Sequence, residues 1–164
     1  MRTIKFRGKR IDNGEWIYGN LFIPNKFVKG VYICPDTTFA DFMPDFSDGD
    51  KIEDHAGSGI SLGHFHEVIP ESVGQFTGLL DCNSKEIYNK DICRWIGNNG
   101  YEIVGVIAWE QQACAYWLKW EDGKSKRYKE LQTTFSDGDI YMNNYFEVIG
   151  STTDTPELLT DKQK

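Results

Sequence analysis

The stretch that decides the fold runs from residue 67 to residue 96 and reads EVIPESVGQFTGLLDCNSKEIYNKDICRWI. Short runs that mix apolar and polar residues, at 73–80, 86–88 and 91–96, are separated by polar segments at 81–85 and 89–90. Apolar and polar residues that alternate with a period of two indicate a half-buried β-strand, and clusters of Asn, Asp and Ser between such runs indicate turns. We therefore predict three short strands in succession over this stretch.

The composition of the whole chain favours the same kind of structure. Among the 164 residues, 15 Ile, 7 Val and 23 aromatic residues outnumber 5 Ala and 8 Leu. β-Branched and aromatic side chains suit a pleated sheet, whereas Ala and Leu lead the helix propensity scale. The composition predicts a mostly β protein.

Further strands are predicted on both sides of the opening stretch. Before it, Asp12-Asn13-Gly14 is a hairpin signal between two alternating runs. The predicted strands cover residues 2–8, 15–23, 27–34, 64–69, 101–109, 113–120, 126–135 and 145–149, and a single helical turn covers 156–159. Many short strands separated by turns are typical of a small barrel or sandwich.

The charge and the cysteines exclude several classes of protein. The net charge of −7 and the pI of about 4.9 exclude a wholly basic nucleic-acid binder. No apolar run approaches the roughly 18 residues of a membrane span, and the first ten residues lack the apolar core of a signal peptide. Four cysteines that lie far apart, without a CxxC pair, predict reduced thiols in a cytoplasmic protein.

The charge is unevenly distributed along the chain. Basic residues gather in the first predicted strand, at Arg2, Lys5, Arg7, Lys9 and Arg10. Acidic residues gather between 41 and 54, inside a long loop predicted over 36–63.

Each charged segment has more than one interpretation. The basic strand can contact phosphate, with Trp16 or Tyr18 stacking on a base, or it can be a solvated strand face. It can also pair with the acidic loop of a neighbouring subunit. That loop can be solvated surface, or it can imitate nucleic acid and dock on a basic partner.

Candidate metal and catalytic residues are few. His64 and His66 share one face of a predicted strand, so both can reach one metal ion, but a third ligand is not visible at zinc-like spacing. Cys82, Cys93 and Cys114 are possible nucleophiles, although Cys93 suits a small core residue. Phosphate-binding loops and HExxH are absent from the sequence. We predict no catalytic residue, no resident metal and no cofactor.

The opening stretch and the segment near residue 150 together resemble the YopX family of phage and prophage proteins. The family pattern contains a "peTvgqyTGLkD" segment, a "keIyegDiv" segment and an "EVIGNiyenPELL" segment. The matching positions are Pro70, Glu71, Val73, Gly74, Gln75, Thr77, Gly78, Leu79, Asp81, Lys85, Glu86, Ile87, Tyr88, Asp91, Ile92, 147–150 (with Glu147 and Gly150) and 156–159 (with Pro156). The chain departs from the pattern at Lys90, where the family has Gly, and at Ser151, where it has Asn.

The resemblance covers the chain except for 36–63, and it implies a division of the chain. A β-rich N-terminal part would cover 1–70, an SH3-like barrel 71–150 and a tail 151–164. It also implies a homo-oligomer, and it implies no established activity. Independently, Asp81 follows a predicted strand, where its carboxylate can accept bonds from N–H groups two residues later.

The sequence leaves three functions open. The first is an oligomeric protein-interaction or assembly module in the cytoplasm of an infected or lysogenic cell, with a host protein as a possible partner. The second is a nucleic-acid-associated protein that uses the basic strand. The third is a metal-dependent enzyme around His64 and His66.

Overall fold

A computed structural model of the chain describes residues 3–24, 29–35, 65–97, 100–121, 126–130 and 146–160. Within these residues, 58% are in strands and 7% in helices, which confirms the predicted mostly β class. No helix among them is long and apolar enough to cross a membrane. The predicted acidic loop at 36–63 lies outside the described residues.

The chain divides into two compact units. The N-terminal unit is Lys5–Val73, and the C-terminal unit is Gly74–Lys164 together with Met1–Ile4. The paired strands within each unit run antiparallel to one another.

The N-terminal unit contains four strands in the spatial order β4-β3-β2-β1. They are β1 (Phe6–Lys9), β2 (Trp16–Phe22), β3 (Val31–Cys34) and β4 (His66–Val68). A 3₁₀ turn (Pro70–Ser72) follows β4.

The predicted hairpin between β1 and β2 is present. Gly14 has φ +74°, in the left-handed region that glycine adopts without steric cost, and its N–H donates to the carbonyl of Arg10 at 3.1 Å. The Asn13 side-chain oxygen accepts a bond from the N–H of Glu15 at 3.0 Å. These local contacts fix the register in which Lys9 lies opposite Trp16.

One face of this four-stranded sheet forms the core of the N-terminal unit. Ile33 and Val68 are fully buried. A Cβ atom on Gly8 would lie 2.9 Å from Val68 and 3.0 Å from Ile33, so only glycine lets β1 approach them. An isolated bridge between Arg10 and Val68 joins the end of β1 to β4.

The C-terminal unit contains a hairpin and a five-stranded sheet. The hairpin is formed by β5 (Gly74–Leu80) and β6 (Glu86–Tyr88). The sheet has the order β10-β9-β8-β7-β11 and contains β7 (Asp91–Ile96), β8 (Glu102–Glu110), β9 (Ala115–Glu121), β10 (Lys126–Glu130) and β11 (Phe146–Ser151). A second 3₁₀ turn (Pro156–Leu159) follows β11.

The core of the C-terminal unit lies on one face of the five-stranded sheet. Its buried residues come from β6, β7, β8, β9 and β11, and they are Ile87, Cys93, Ile103, Ile107, Tyr116, Leu118, Phe146 and Val148. Leu79, Trp95 and Trp120 pack against this cluster. The alternation predicted for these strands therefore places their apolar residues on a common side.

The predicted SH3-like barrel is not confirmed by the structure. Within the described residues, neither sheet closes into a barrel. The five-stranded sheet runs from β10 to β11 without these two strands pairing. Alternating residues predict which face of a strand is buried, but they do not determine whether the first and last strands of a sheet meet.

Candidate interaction surface

The outer face of the N-terminal sheet combines aromatic and basic side chains. Residues directly opposite each other in antiparallel strands share a face, and the register pairs Arg7 with Tyr18 and Tyr32 with both Phe22 and Glu67. We call this surface the aromatic–basic face; its members are Lys5, Arg7, Lys9, Trp16, Tyr18, Asn20, Phe22, Tyr32, Cys34, Phe65 and Glu67.

Two cation–π contacts hold the aromatic rings at the β1 side of this face. The Lys5 ammonium lies 5.6 Å from the centroid of the Tyr18 ring, and the Arg7 guanidinium lies 4.6 Å from the centroid of the Trp16 ring. Both distances are within the roughly 6 Å over which a ring quadrupole attracts a cation. Arg7 is only 6% exposed, so its charge is largely removed from solvent.

Two rings on β2 are open to solvent. Tyr18 is 42% and Phe22 is 41% exposed. The rings of Phe22 and Phe65 form a tilted pair with centroids 5.3 Å apart, and the Tyr32 hydroxyl donates to the carbonyl of Lys29 at 3.0 Å. Exposed rings held by neighbours are unusual for a face turned only to water.

Charge changes sign across the aromatic–basic face. The cations lie on and beside β1, whereas the exposed Glu67 lies on β4. Arg10 is paired within its own turn, because its Nε donates to Asp12 at 2.9 Å and this hydrogen bond raises the pKa of Arg10. Of the five basic residues predicted as a cluster, Arg2 lies outside the described residues.

Asp81, from the family-like motif, lies at the junction of two elements. Its Oδ1 accepts hydrogen bonds from the N–H groups of Asn83 at 2.8 Å and Lys85 at 2.9 Å. The bond from Asn83, two positions after Asp81, was predicted from the sequence. Its Oδ2 accepts a bond from the N–H of Val148 on β11 at 2.9 Å. The N–H of Cys82 also donates to the carbonyl of Phe146 at 2.9 Å. The turn is thereby joined to β11.

Motif residues before Asp81 shape the hairpin of β5 and β6. The Thr77 hydroxyl donates to the carbonyl of Ile87 at 2.9 Å, and Gly78 has φ +90° where the register between the strands shifts. A Cβ atom on Gly74 would lie 2.3 Å from the carbonyl oxygen of Asn89. The N–H of Asn89 donates to the carbonyl of Gln75 at 2.9 Å. These residues therefore have structural roles.

The turn that leads into β7 depends on Asp91. This residue is fully buried, and its Oδ2 accepts a bond from the N–H of Tyr88 at 2.7 Å. Tyr88 is itself buried, and its hydroxyl donates to Glu86 at 2.5 Å. Between them, Lys90 has φ +73°, which is costly for a residue with a Cβ atom.

The C-terminal motif residues stabilise the end of β11. Glu147 accepts a hydrogen bond from Arg94 on β7 at 3.0 Å, and this bond raises the pKa of Arg94. A Cβ atom on Gly150 would lie 2.1 Å from the Thr155 hydroxyl oxygen. Pro156 is the first residue of the 3₁₀ turn that follows, where its fixed φ is suitable.

Pro70 and Glu71, the first motif residues, belong to the other 3₁₀ turn. Pro70 begins this turn, and Glu71 is exposed in it. At its end, the Ser72 hydroxyl accepts a bond from the N–H of Lys9 at 2.7 Å and donates to the carbonyl of Ile69 at 2.6 Å. The turn therefore attaches to β1.

The three candidate cysteines occupy different environments. Cys93 is fully buried in the core, as predicted. Cys82 is exposed, and desolvation, followed by the nearby carboxylates of Asp81 and Glu147, raises the pKa of its thiol. Cys114 lies exposed in the turn between β8 and β9 and contacts the carbonyl of Gln111. A raised pKa keeps Cys82 protonated and weakens it as a nucleophile at neutral pH.

The histidine pair is only half within the described residues. His66 is half-buried on β4 opposite Ile33, whereas His64 lies outside the described part of the chain. Within that part, no group of three or more His, Cys, Asp or Glu side chains is arranged to hold a metal ion. A site that includes His64 stays a prediction.

The described part of the chain is mostly β and forms two units. Its motif residues hold turns together, and one face of the N-terminal sheet is aromatic and basic. The family model described as YopX protein matches residues 5–160. The chain belongs to the YopX family, as the sequence motifs indicated. A comparison with curated proteins found no match.

One feature of this surface was not visible in the sequence. The order β4-β3-β2-β1 brings Tyr32 and Phe65 onto the face that carries Trp16, Tyr18 and Phe22. The alternation of Trp16, Tyr18 and Phe22 within β2 was a signal for part of this row, but its partners on β3 and β4 come from distant parts of the chain.

Proposed function

We propose that this chain is an oligomeric protein-interaction or assembly module, encoded by a phage or prophage and acting in the cytoplasm of the host cell. Its partners are further copies of the chain and a host protein. The observation that carries the proposal is the aromatic–basic face, where Tyr18 and Phe22 are each about two-fifths exposed although they lie in the middle of a sheet.

The chemistry of this face suits protein docking. Tyr, Trp, Phe and Arg are enriched in protein interfaces, and the aromatic side chains bury a large area with few rotatable bonds. Lys5 over Tyr18 and Arg7 over Trp16 fix the rings before a partner arrives. Side chains that are already ordered lose less entropy on binding, so more of the contact energy contributes to affinity.

The proposal is tested by removing exposed rings and measuring association. The double variant Tyr18→Ala with Phe22→Ser deletes the open part of the face, and Tyr101→Ala is the matched control, since Tyr101 is 57% exposed in the C-terminal unit. We expect light scattering to show an oligomer for the parent chain, and quantitative capture of host proteins to fall at least tenfold for the double variant alone. A monomeric parent chain whose capture of host proteins does not change in the double variant contradicts the proposal.

A second candidate function is binding of single-stranded nucleic acid. It is favoured by the position of the basic strand β1 directly beside the aromatic residues of β2. Against it, Arg7 is buried and stacked on Trp16, so the middle cation of β1 does not present its charge to a phosphate backbone. Fluorescence anisotropy with single-stranded DNA and RNA, measured over a salt titration, tests this candidate. Phosphate contacts make the binding constant fall steeply as the salt concentration rises. Negligible binding at low salt removes this candidate.

A further inference from the structure

Four side chains form a cluster on the part of the aromatic–basic face that β2, β3 and β4 provide. Phe22, Tyr32 and Glu67 lie in one row across these strands, because the register pairs Phe22 with Tyr32 and Tyr32 with Glu67. Directly opposite residues have their Cβ atoms about 5 Å apart. The ring of Phe65 packs against Phe22, with the centroids 5.3 Å apart. We call Phe22, Tyr32, Phe65 and Glu67 the ring–carboxylate cluster.

Gly30 shows how closely the carboxylate and the phenol of this cluster approach each other. A Cβ atom on Gly30 would lie 2.6 Å from Oε1 of Glu67 and 3.0 Å from the Tyr32 hydroxyl oxygen, so both oxygens lie near one point. The Tyr32 hydroxyl already donates its hydrogen to the carbonyl of Lys29, and it is therefore free only to accept. A carboxylate beside an accepting hydroxyl favours a ligand that donates hydrogen bonds.

The ring–carboxylate cluster also lacks the cations that cover other rings of the face. The chain's own cations lie over Tyr18 and Trp16. Within the described residues, no cation lies over the rings of the cluster, and the Glu67 carboxylate makes no hydrogen bond or ion pair. The face of an aromatic ring is negative, as the carboxylate is, so both attract a positive group. The net charge of −7 adds to that attraction.

An arginine side chain matches both parts of the cluster. Its planar guanidinium can stack on an aromatic ring while its N–H groups donate to a carboxylate. A lysine ammonium is strongly hydrated and lacks the planar fork, so it matches less well. The arginines of this chain whose side chains are described are already engaged: Arg7 stacks on Trp16, Arg10 bonds to Asp12, and Arg94 bonds to Glu147. These contacts favour an arginine from a different protein.

We propose that the ring–carboxylate cluster receives the guanidinium of an arginine in the host protein partner. The guanidinium stacks on the exposed ring of Phe22 and donates to the Glu67 carboxylate, and the Tyr32 hydroxyl oxygen is a second acceptor. This inference rests on the proposed function and names the chemistry by which the partner is recognised.

The experiment is an NMR titration of the full chain with short blocked peptides. The probe is an arginine flanked by two glycines, and the comparison peptides carry lysine or the neutral analogue citrulline in place of the arginine. We expect the arginine peptide, at millimolar concentrations, to shift the amide signals of Tyr32 and Glu67 until they saturate. The citrulline peptide should bind at least about fivefold more weakly, because it loses the charge that pairs with the carboxylate. The lysine peptide should also bind more weakly than the arginine peptide.

Two variants test the carboxylate and the ring separately. Glu67→Gln removes the charge and keeps the size of the side chain, and we expect the arginine peptide to bind about fivefold more weakly. Phe22→Leu removes the ring on which the guanidinium stacks, and it should also weaken binding. The control Glu157→Gln neutralises an exposed carboxylate outside the face and should leave binding unchanged. Circular dichroism of every variant verifies that it is folded.

Three results overturn the inference. They are the absence of a saturable shift with the arginine peptide, equal binding of the citrulline or lysine peptide, and unchanged binding by Glu67→Gln. The proposed function is tested separately, by the capture of host proteins. If Tyr18→Ala with Phe22→Ser loses that capture while Glu67→Gln keeps it, the face binds its partner without this arginine contact, and only the inference fails.

Discussion

Replacing Asp81 is expected to loosen the C-terminal unit, because this carboxylate accepts three backbone N–H bonds while it is only 5% exposed. In Asp81→Asn, the amide oxygen can still serve the turn, but the NH₂ group then faces the N–H of Val148. A buried donor left without an acceptor costs about 1–3 kcal/mol. The two remaining hydrogen bonds are also weaker, because their acceptor is a neutral amide oxygen instead of a carboxylate. We expect the free energy of unfolding to fall by about 2–4 kcal/mol, and further in Asp81→Ala.

The assay for Asp81 combines urea unfolding with hydrogen exchange. Fluorescence of Trp95 and Trp120, which pack on the core of the C-terminal unit, reports its unfolding. The amide of Val148 should lose protection by the same free energy if the loss is local to β11. The control Glu157→Gln alters an exposed carboxylate and should change stability by less than about 0.5 kcal/mol. A loss below that value in Asp81→Asn, with Val148 still protected, refutes the reasoning.

Three further outcomes are expected in the C-terminal unit. Gly150→Ala should lower the urea midpoint, because a Cβ atom would lie 2.1 Å from the Thr155 hydroxyl oxygen; an unchanged midpoint contradicts this packing. Lys90→Gly should raise the free energy of unfolding by up to about 1 kcal/mol by relieving a positive φ; destabilisation would count against it. The raised pKa of Cys82 means that its thiolate forms only above the ordinary thiol range, so its alkylation rate should stay low at pH 8 and rise at higher pH. Mass spectrometry after timed alkylation measures that profile, and rapid modification at neutral pH contradicts it.

Local signals predicted much of the secondary structure. The strands Glu86–Tyr88 and Asp91–Ile96 were predicted at their observed bounds, and the strand Gly74–Leu80 began one residue later than expected. The turn at Gly14 and the 3₁₀ turn Pro156–Leu159 also followed from residue types that prefer them. These elements depend on contacts within a few residues, which a sequence pattern contains.

Pairings between distant segments were not predictable. The bond from Val148 to Asp81 joins residues 67 apart, and nothing near either residue specifies the other. The predicted barrel is not confirmed, and closure of a sheet likewise depends on contacts between its first and last strands.

The candidate surface was predictable only in part. The basic residues of β1 and the possible role of Trp16 and Tyr18 were visible in the sequence. The completed row of rings depends on how β3 and β4 align with β2. The sequence showed that this chain departs from the family pattern by having Lys90 in place of Gly. Only the structure showed that the backbone at Lys90 is left-handed.

The attachment of β11 has a consequence for the order in which the chain folds. Strands β7, β8 and β9 form consecutive hairpins, so they can pair soon after they are synthesised. β11 pairs with β7, although at least 49 residues separate Ile96 from Phe146. Until β11 emerges from the ribosome, one edge of β7 lacks its native partner and Asp81 lacks the N–H of Val148. Emergence of β11 therefore sets when the C-terminal unit becomes stable, and a ribosome stalled before residue 146 holds a nascent chain with an open sheet edge, the kind of species that chaperones bind.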